Sequence, residues 1–200
     1  MIKSKTDLQT YLACERKKYM INSNNLGIWL LGGVRQMFLS PIGDEWYIWQ
    51  YIKTLRETEF YLNKRHNPLY YIMKIFSLYK LRRISRITGF QIPPYVFGKG
   101  LTIYHWGSII VNANVRIGDN CTIYPNVLIG HKIPGQGCPK IGDNCFLCAG
   151  AKIIGNITIG DNVTIAHNTV VVKNVPSGCI VAGNPARIIK HNGKKCNKPL

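Results

Sequence analysis

Ile117-Gly118-Asp119-Asn120-Cys121-Thr122 runs directly into Ile123-Tyr124-Pro125-Asn126-Val127-Leu128, and both hexads carry an aliphatic first residue and a small or β-branched fifth. Stepping by six keeps the register. The first positions are His105, Val111, Ile117, Ile123 and Ile129; after one irregular pair of hexads they resume at Ile141, Leu147, Ile153, Ile159, Ile165 and Val171. The fifth positions are Ile103, Ile109, Val115, Cys121 and Val127, then Cys145, Ala151, Ile157, Val163 and Thr169. An internal repeat of this kind outranks local propensity as a guide to fold. It predicts a three-sided parallel β-coil, with 18 residues per turn, a short strand on each flat side and the aliphatic residue facing the axis. Gly118, Gly130, Gly142 and Gly160 suit the corners, where small residues and Asp-Asn pairs tolerate tight backbone.

Outside the repeat, composition narrows the class. The 200 residues are 46% hydrophobic and 18% charged, which excludes a disordered tail. The longest apolar runs, Gly27 to Leu31 and Ile109 to Val111, fall far short of the ~20 residues that span a bilayer. With no N-terminal signal pattern, a cytoplasmic protein is expected. Seven cysteines without a regular framework are expected to be reduced thiols. The net charge is +17 and is spread over both halves: residues 1–92 hold 15 basic and 6 acidic residues, residues 93–200 hold 11 and 3. No basic arm stands out, so no nucleic-acid partner is expected. Solubility, an anionic membrane surface and a phosphorylated small molecule remain as readings of the charge.

Residues 1–92 read as an α-helical region. Ser4-Lys5-Thr6-Asp7 forms a cap signal before Leu8, Tyr11 and Leu12; Glu45 to Lys64 repeats apolar residues at helical spacing, and Pro68 opens a third segment. That segment turns strongly basic at Lys80, Arg82, Arg83 and Arg86, which reads as a solvated face or as a face for peripheral contact with an anionic membrane. Residues 93–186 form the β-helix, and 187–200 a basic tail.

Three stretches carry a family resemblance. They are Gly100-Leu-Thr-Ile-Tyr-His-Trp-Gly-Ser-Ile-Ile-Val, Ile141-Gly-Asp-Asn-Cys-Phe-Leu-Cys-Ala-Gly-Ala-Lys-Ile-Ile-Gly-Asn-Ile-Thr-Ile-Gly, and Val181-Ala-Gly-Asn-Pro-Ala-Arg-Ile-Ile. The chain resembles the hexapeptide-repeat acyltransferases, and within them the serine O-acetyltransferase branch, over roughly residues 90–190. The helices and Gly89-Phe-Gln-Ile-Pro-Pro resemble relatives that serve capsule or other surface polysaccharide synthesis. The resemblance implies a left-handed parallel β-helix, acetyl-CoA as donor, a hydroxyl acceptor, a homotrimer or dimer of trimers, and an active site in the groove between neighbouring coils.

His105 is the one non-aliphatic residue in the first-position series, and a break in a local rule tends to mark function. A buried histidine satisfied by a carbonyl is the structural alternative. The resemblance puts His105 on the catalytic base. An imidazole, with an ordinary pKa near ~6.5, can take the acceptor's proton as its oxygen attacks the thioester and return it to the departing thiolate. By resemblance, an oxyanion-binding N–H lies near Gly130 and His131, His131 and His167 line the CoA groove, and Ala149 lets the pantetheine arm pass. Arg187 and Lys190 are candidates for the CoA phosphates. His131 is the second choice for the base.

The chain also departs from serine acetyltransferases. Phe90 stands where that branch has the carboxylate that orients the base, Tyr104 replaces a neighbouring acid, and Gly137-Cys138 replaces an Arg-His pair. A free amino acid would lose its ionic partners, so a saccharide or sugar-linked hydroxyl is the expected acceptor, with Tyr95, Tyr104 and Trp106 available for stacking. A backbone carbonyl, Glu45, Glu57 or Glu59 would orient His105. L-serine acetylation and a non-catalytic assembly module are the alternatives. Cys145 and Cys148 lack two further ligands for a tetrahedral site, so no metal is expected.

Overall fold

The computed structural model describes residues 2–19, 44–64 and 68–200, so the Gly27 to Leu31 run lies outside the described residues. The chain divides into two units, Met1–Thr88 and Gly89–Leu200. The boundary falls a few residues before the expected one, because Phe90 and Gln91 already pair with a strand of the coil.

In the first unit, helix α1 is Lys5–Arg16, followed by a 3-10 turn at Lys17–Tyr19; α2 is Asp44–Leu62 and α3 is Pro68–Thr88. The expected cap is present: the Asp7 N–H donates to Ser4 Oγ (2.9 Å), while Asp7 Oδ2 accepts from the N–H groups of Lys3 and Ser4 (2.9 Å each). These donors hold the Asp7 carboxyl below its ordinary pKa. Helix α2 packs against α1 and α3 through Ile48, Tyr51, Ile52 and Leu55, an i, i+3, i+4, i+7 stripe that is fully buried.

Arg56 is buried in the same helix. Its Nη2 donates to Glu15 Oε1 (2.6 Å), its Nη1 to Glu59 Oε2 (3.0 Å), and its guanidinium lies 5.0 Å from the Tyr11 ring centroid. Glu15 and Glu59 are buried with it. The two carboxylates raise the arginine's pKa against the opposing effect of burial. An isolated charge of this kind would be costly to bury; the reciprocal pairing is what makes it tolerable.

The second unit is a left-handed parallel β-helix. Its strands run from β1 (Phe90–Gln91) and β2 (Thr102–Ile103) through β13 (Cys179–Ala182), most of them two or three residues long. They stack into three faces: β1-β3-β6-β9-β12, β4-β7-β10, and β2-β5-β8-β11-β13. The first-position aliphatics from Val111 to Val171 and the fifth-position residues from Ile109 to Thr169 are all buried, as the repeat requires. Each side chain removed from water contributes roughly 1.5–3 kcal/mol, which two-residue strands could not supply by pairing alone.

Turn length departs from 18 residues at two places. Thr122 pairs with Phe146, 24 residues on, whereas Phe146 pairs with Thr164 at the regular 18. The extra hexad is the irregular stretch the repeat flagged: residues 132–137 are exposed between β6 (Leu128–Gly130) and β7 (Lys140–Ile141). In the first turn, Ile103 pairs with Ile123, 20 residues on.

One corner shows why the Gly-Asp-Asn runs recur. The Asp119 N–H donates to Asp143 Oδ1 (2.7 Å), the Asp143 N–H to Asp161 Oδ1 (2.8 Å), and the Asp161 N–H to Ser177 Oγ (3.0 Å). Each carboxylate reaches down to the coil below, so the coil acids are structural. A Cβ on Gly142 would fall on the Asp161 carboxylate and lie 2.9 Å from the Asp161 nitrogen.

Residues 187–200 are not a loose tail. Strands β14 (Arg187–His191) and β15 (Lys194–Pro199) form an antiparallel hairpin that extends the third face from β13. Pairing with β13 lets a strongly basic segment adopt regular structure.

Two substitutions test this description. Arg56→Met leaves two buried carboxylates unpaired and should cost ~3–5 kcal/mol at pH 7 by denaturant unfolding. Both carboxylates would then titrate above their unfolded values, so part of the loss should return as the pH falls towards 5; a deficit independent of pH would contradict the assignment. Gly142→Ala should destabilise the coil by ~1–3 kcal/mol, seen as a fall of several degrees in melting temperature.

Candidate active site

His105 does not occupy an inward slot. Ile103 holds that position, since it pairs with Ile123, and Leu101 holds the small-residue slot below it. Two extra residues between β2 and β3 (Ile109–Val111) push Tyr104, His105 and Trp106 outward, and all three are exposed. The expectation of an imidazole in an oily slot is therefore corrected. A rigid period of six slipped by two residues at the first turn.

The corrected position suits chemistry better. His105 has φ 62°, a left-handed backbone costly for a residue with a Cβ and one that concentrates at functional sites. Its ring centroid lies 6.4 Å from that of Tyr124, one coil along. Tyr124 is the centre of the cluster: it stacks on Tyr104 (5.1 Å, 23°), contacts Phe146 (5.5 Å) and meets His167 edge-on (6.5 Å). The backbone explains the gathering. The Gly150 N–H donates to Pro125 O (3.1 Å) and the Asn168 N–H to Ala149 O (3.0 Å), so the corners after β5, β8 and β11 lie in one column. His105, Ala149 and His167 thus share one edge of the prism.

His131 stands on another edge. It follows β6, where the chain leaves the first face for the second, and the Asn112 side-chain amide lies 3.0 Å from its Nδ1. With that amide donating, the ring proton belongs on Nε2. Gly130 is buried beside it, and a Cβ there would meet Asn112 Cβ only at 3.6 Å. Arg187 and Lys190 sit apart again, on β14, where Arg187 Nε donates to Asn197 Oδ1 (2.6 Å).

The carboxylates considered for orienting His105 are differently employed. Glu59 is committed to Arg56, and Glu57 lies 3.8 Å from Lys53. Phe90, at the position of the branch's orienting carboxylate, is completely buried. Sequence reasoning did not single out Tyr124, Phe146 or Asn112. Tyr124 lies 19 residues after His105, close to one coil, and the two-residue insertion hid that alignment.

Residues 138–173 match the family described as bacterial transferase hexapeptide (six repeats). A serine acetyltransferase of Staphylococcus xylosus is 43% identical over 124 residues, which is 58% of this chain and 57% of the relative. One from Staphylococcus aureus is 41% identical over 136 residues, 66% of this chain and 64% of the relative. Among solved structures, a serine acetyltransferase from Brucella abortus superposes with a TM-score of 0.67 at 26% identity, covering 94% of this chain and 70% of that one. A serine acetyltransferase in complex with CoA gives 0.67 at 25% identity, covering 92% and 71%. The chain carries the transferase hexapeptide repeat and is serine acetyltransferase-like in sequence and fold.

The matched part of this serine acetyltransferase-like chain spans about three fifths of the curated relatives' length. The expected kinship with polysaccharide-associated relatives finds no support in these matches, which are named serine acetyltransferases.

Cys145 and Cys148 are both buried. Cys145 Sγ donates to Gly160 O (3.2 Å), and burial pushes its thiol up to about 11, so it stays protonated near neutral pH. Cys148 and Cys179 are shifted upward for the same reason. Iodoacetamide at pH 8 should therefore label the partly exposed Cys14 and Cys196 first. Peptide mass mapping of the folded protein should find Cys145 unmodified; rapid labelling there would contradict its burial.

Proposed function

We propose that the chain is an acetyl-CoA-dependent O-acetyltransferase with His105 as general base. The observation that carries this reading is the exposed, left-handed His105 on a lengthened corner, in a chain whose relatives are named serine acetyltransferases. The imidazole takes the acceptor O–H proton as the oxygen bonds to the thioester carbon. The C–S bond then breaks, and the thiolate receives that proton as CoA leaves. No acyl-enzyme is required.

Gly130, His131, Ala149, His167, Arg187 and Lys190 are the proposed contacts for acetyl-CoA. The small residues Gly130 and Ala149 leave the coil surface low at two corners, and the basic hairpin offers partners for phosphate. His105 and His131 lie on different edges of one prism. That supports a homotrimer, in which the His105 edge of one protomer and the His131 edge of its neighbour line a common groove. A dimer of trimers is compatible with the same groove.

L-serine is the acceptor that the relatives support, ahead of the saccharide expected from sequence. One observation keeps an uncharged hydroxyl as second reading. Phe90 is buried and apolar where the branch has a carboxylate, and Tyr104 is engaged in an aromatic stack. The corner offers rings more readily than counter-charges for an ammonium and a carboxylate.

Thiol release from acetyl-CoA with L-serine as sole acceptor tests the primary reading. His105→Ala should lower that rate by ~10² or more while circular dichroism stays unchanged. Undiminished turnover in the variant removes His105 from the mechanism. Failure with serine, joined to a gain of one acetyl group on a saccharide by mass spectrometry, turns the assignment to the second reading. A folded protein that shows no calorimetric binding of CoA is a non-catalytic module instead.

A further inference from the structure

Helix α3 has two apolar faces, of which its own unit covers one. Ser77, Leu81, Ile84 and Thr88 are buried. On the opposite side, Leu69, Ile72, Ile75, Phe76 and Tyr79 are 53–64% exposed. At 100° per residue these five fall on one stripe, about 15 Å long at 1.5 Å per residue. Scattered exposed apolar residues need no explanation, but a contiguous row of large ones marks a surface built to meet something.

The same stripe becomes cationic as it continues. Arg82, Arg83 and Arg86 are exposed in the last turns of the helix, and α3 contains no acidic residue. Nor is the charge neutralised elsewhere. Of the nine acidic residues, Glu15 and Glu59 are used on Arg56, Glu57 on Lys53, and Asp7 on a helix cap; Asp119, Asp143 and Asp161 serve the coil corners. The chain keeps a net charge of +17.

We infer that α3 is a docking surface for an anionic lipid bilayer. Its apolar stripe enters the headgroup–acyl boundary, and Arg82, Arg83 and Arg86 bind lipid phosphates at the rim. Both halves of that recognition are present on one helix face, and their combination distinguishes a charged bilayer from other occupants. A second copy would bring apolar surface but no α3 acid to meet the arginines. Among the described residues no helix is long and apolar enough to cross a membrane, so the contact is interfacial. An enzyme held this way would work beside the membrane while its coil carries out the chemistry.

Vesicle co-sedimentation of the full chain tests the inference, with phosphatidylcholine vesicles containing one third phosphatidylglycerol against pure phosphatidylcholine. The chain should pellet with the anionic vesicles and be released as salt rises. Arg82→Gln with Arg83→Gln should lower the partition coefficient about tenfold or more, and Ile72→Glu with Phe76→Glu should do at least the same. These side chains are exposed, so circular dichroism and acetyl-CoA turnover should remain those of the parent. No binding to anionic vesicles, or equal binding to neutral ones, overturns the inference. So does loss of self-association by light scattering in the Ile72→Glu, Phe76→Glu variant with vesicle binding intact, which would make the stripe an interface between copies.

Discussion

The second unit depends on one constraint: an aliphatic side chain must meet its counterpart in the coil above and the coil below. Strands of two or three residues have no stability as pairs, and their ladders persist because Ile123, Leu147 and Ile165, or Ile129, Ile153 and Val171, stack along the axis. Hydrogen bonds then follow from the stacking. The corners are held by a second, polar set of ladders, in which each aspartate accepts a backbone N–H from the coil before it. Apolar order along the axis and polar order along one edge are two consequences of the same repeat.

That arrangement explains what the edges can do. A core whose register is fixed by inward residues tolerates extra residues only where the chain turns, since an insertion within a strand would expose its aliphatic face. Both departures obey this. Six residues are added between β6 and β7, next to His131, and two between β2 and β3, at His105. The left-handed backbone of His105 is possible there because Ile103 and Ile109 anchor the corner on both sides. Strain and exposure come together at a point that the rigid coil positions.

Much of this was legible in the amino-acid order. The period of six fixed the three faces, the inward residues and the irregular hexad, because burial imposes the same demand at every turn. The Ser4–Asp7 cap was legible for the same reason: its chemistry is local. The slot of His105 was not legible. A period locates residues modulo six, and a two-residue insertion next to Ile103 leaves a plausible series in which a histidine seems to replace an aliphatic residue. Nor could a period reveal that Tyr124 gathers Tyr104, Phe146, His105 and His167, because side-chain neighbours on a corner depend on turn length. The role of Glu59 was misjudged likewise, since its partner Arg56 is only three residues away and looked, in sequence, like one more surface charge.

The two electrostatic features of the chain have a common origin. Acidic residues are few, and nearly every described one is tied to a backbone N–H or to a cation whose position is structurally required, so the carboxylates stabilise shape and leave the basic residues unneutralised. Around His105 this scarcity removes the counter-charges that would grip an ammonium group, and it places aromatic rings there instead. Along α3 it leaves arginines exposed at the end of an apolar stripe. A chain that spends its carboxylates on corners and a buried arginine is thereby disposed to meet anions, and the anionic phosphates of a nucleotide thioester at the coil and of lipids at the helix draw on the same uncompensated charge.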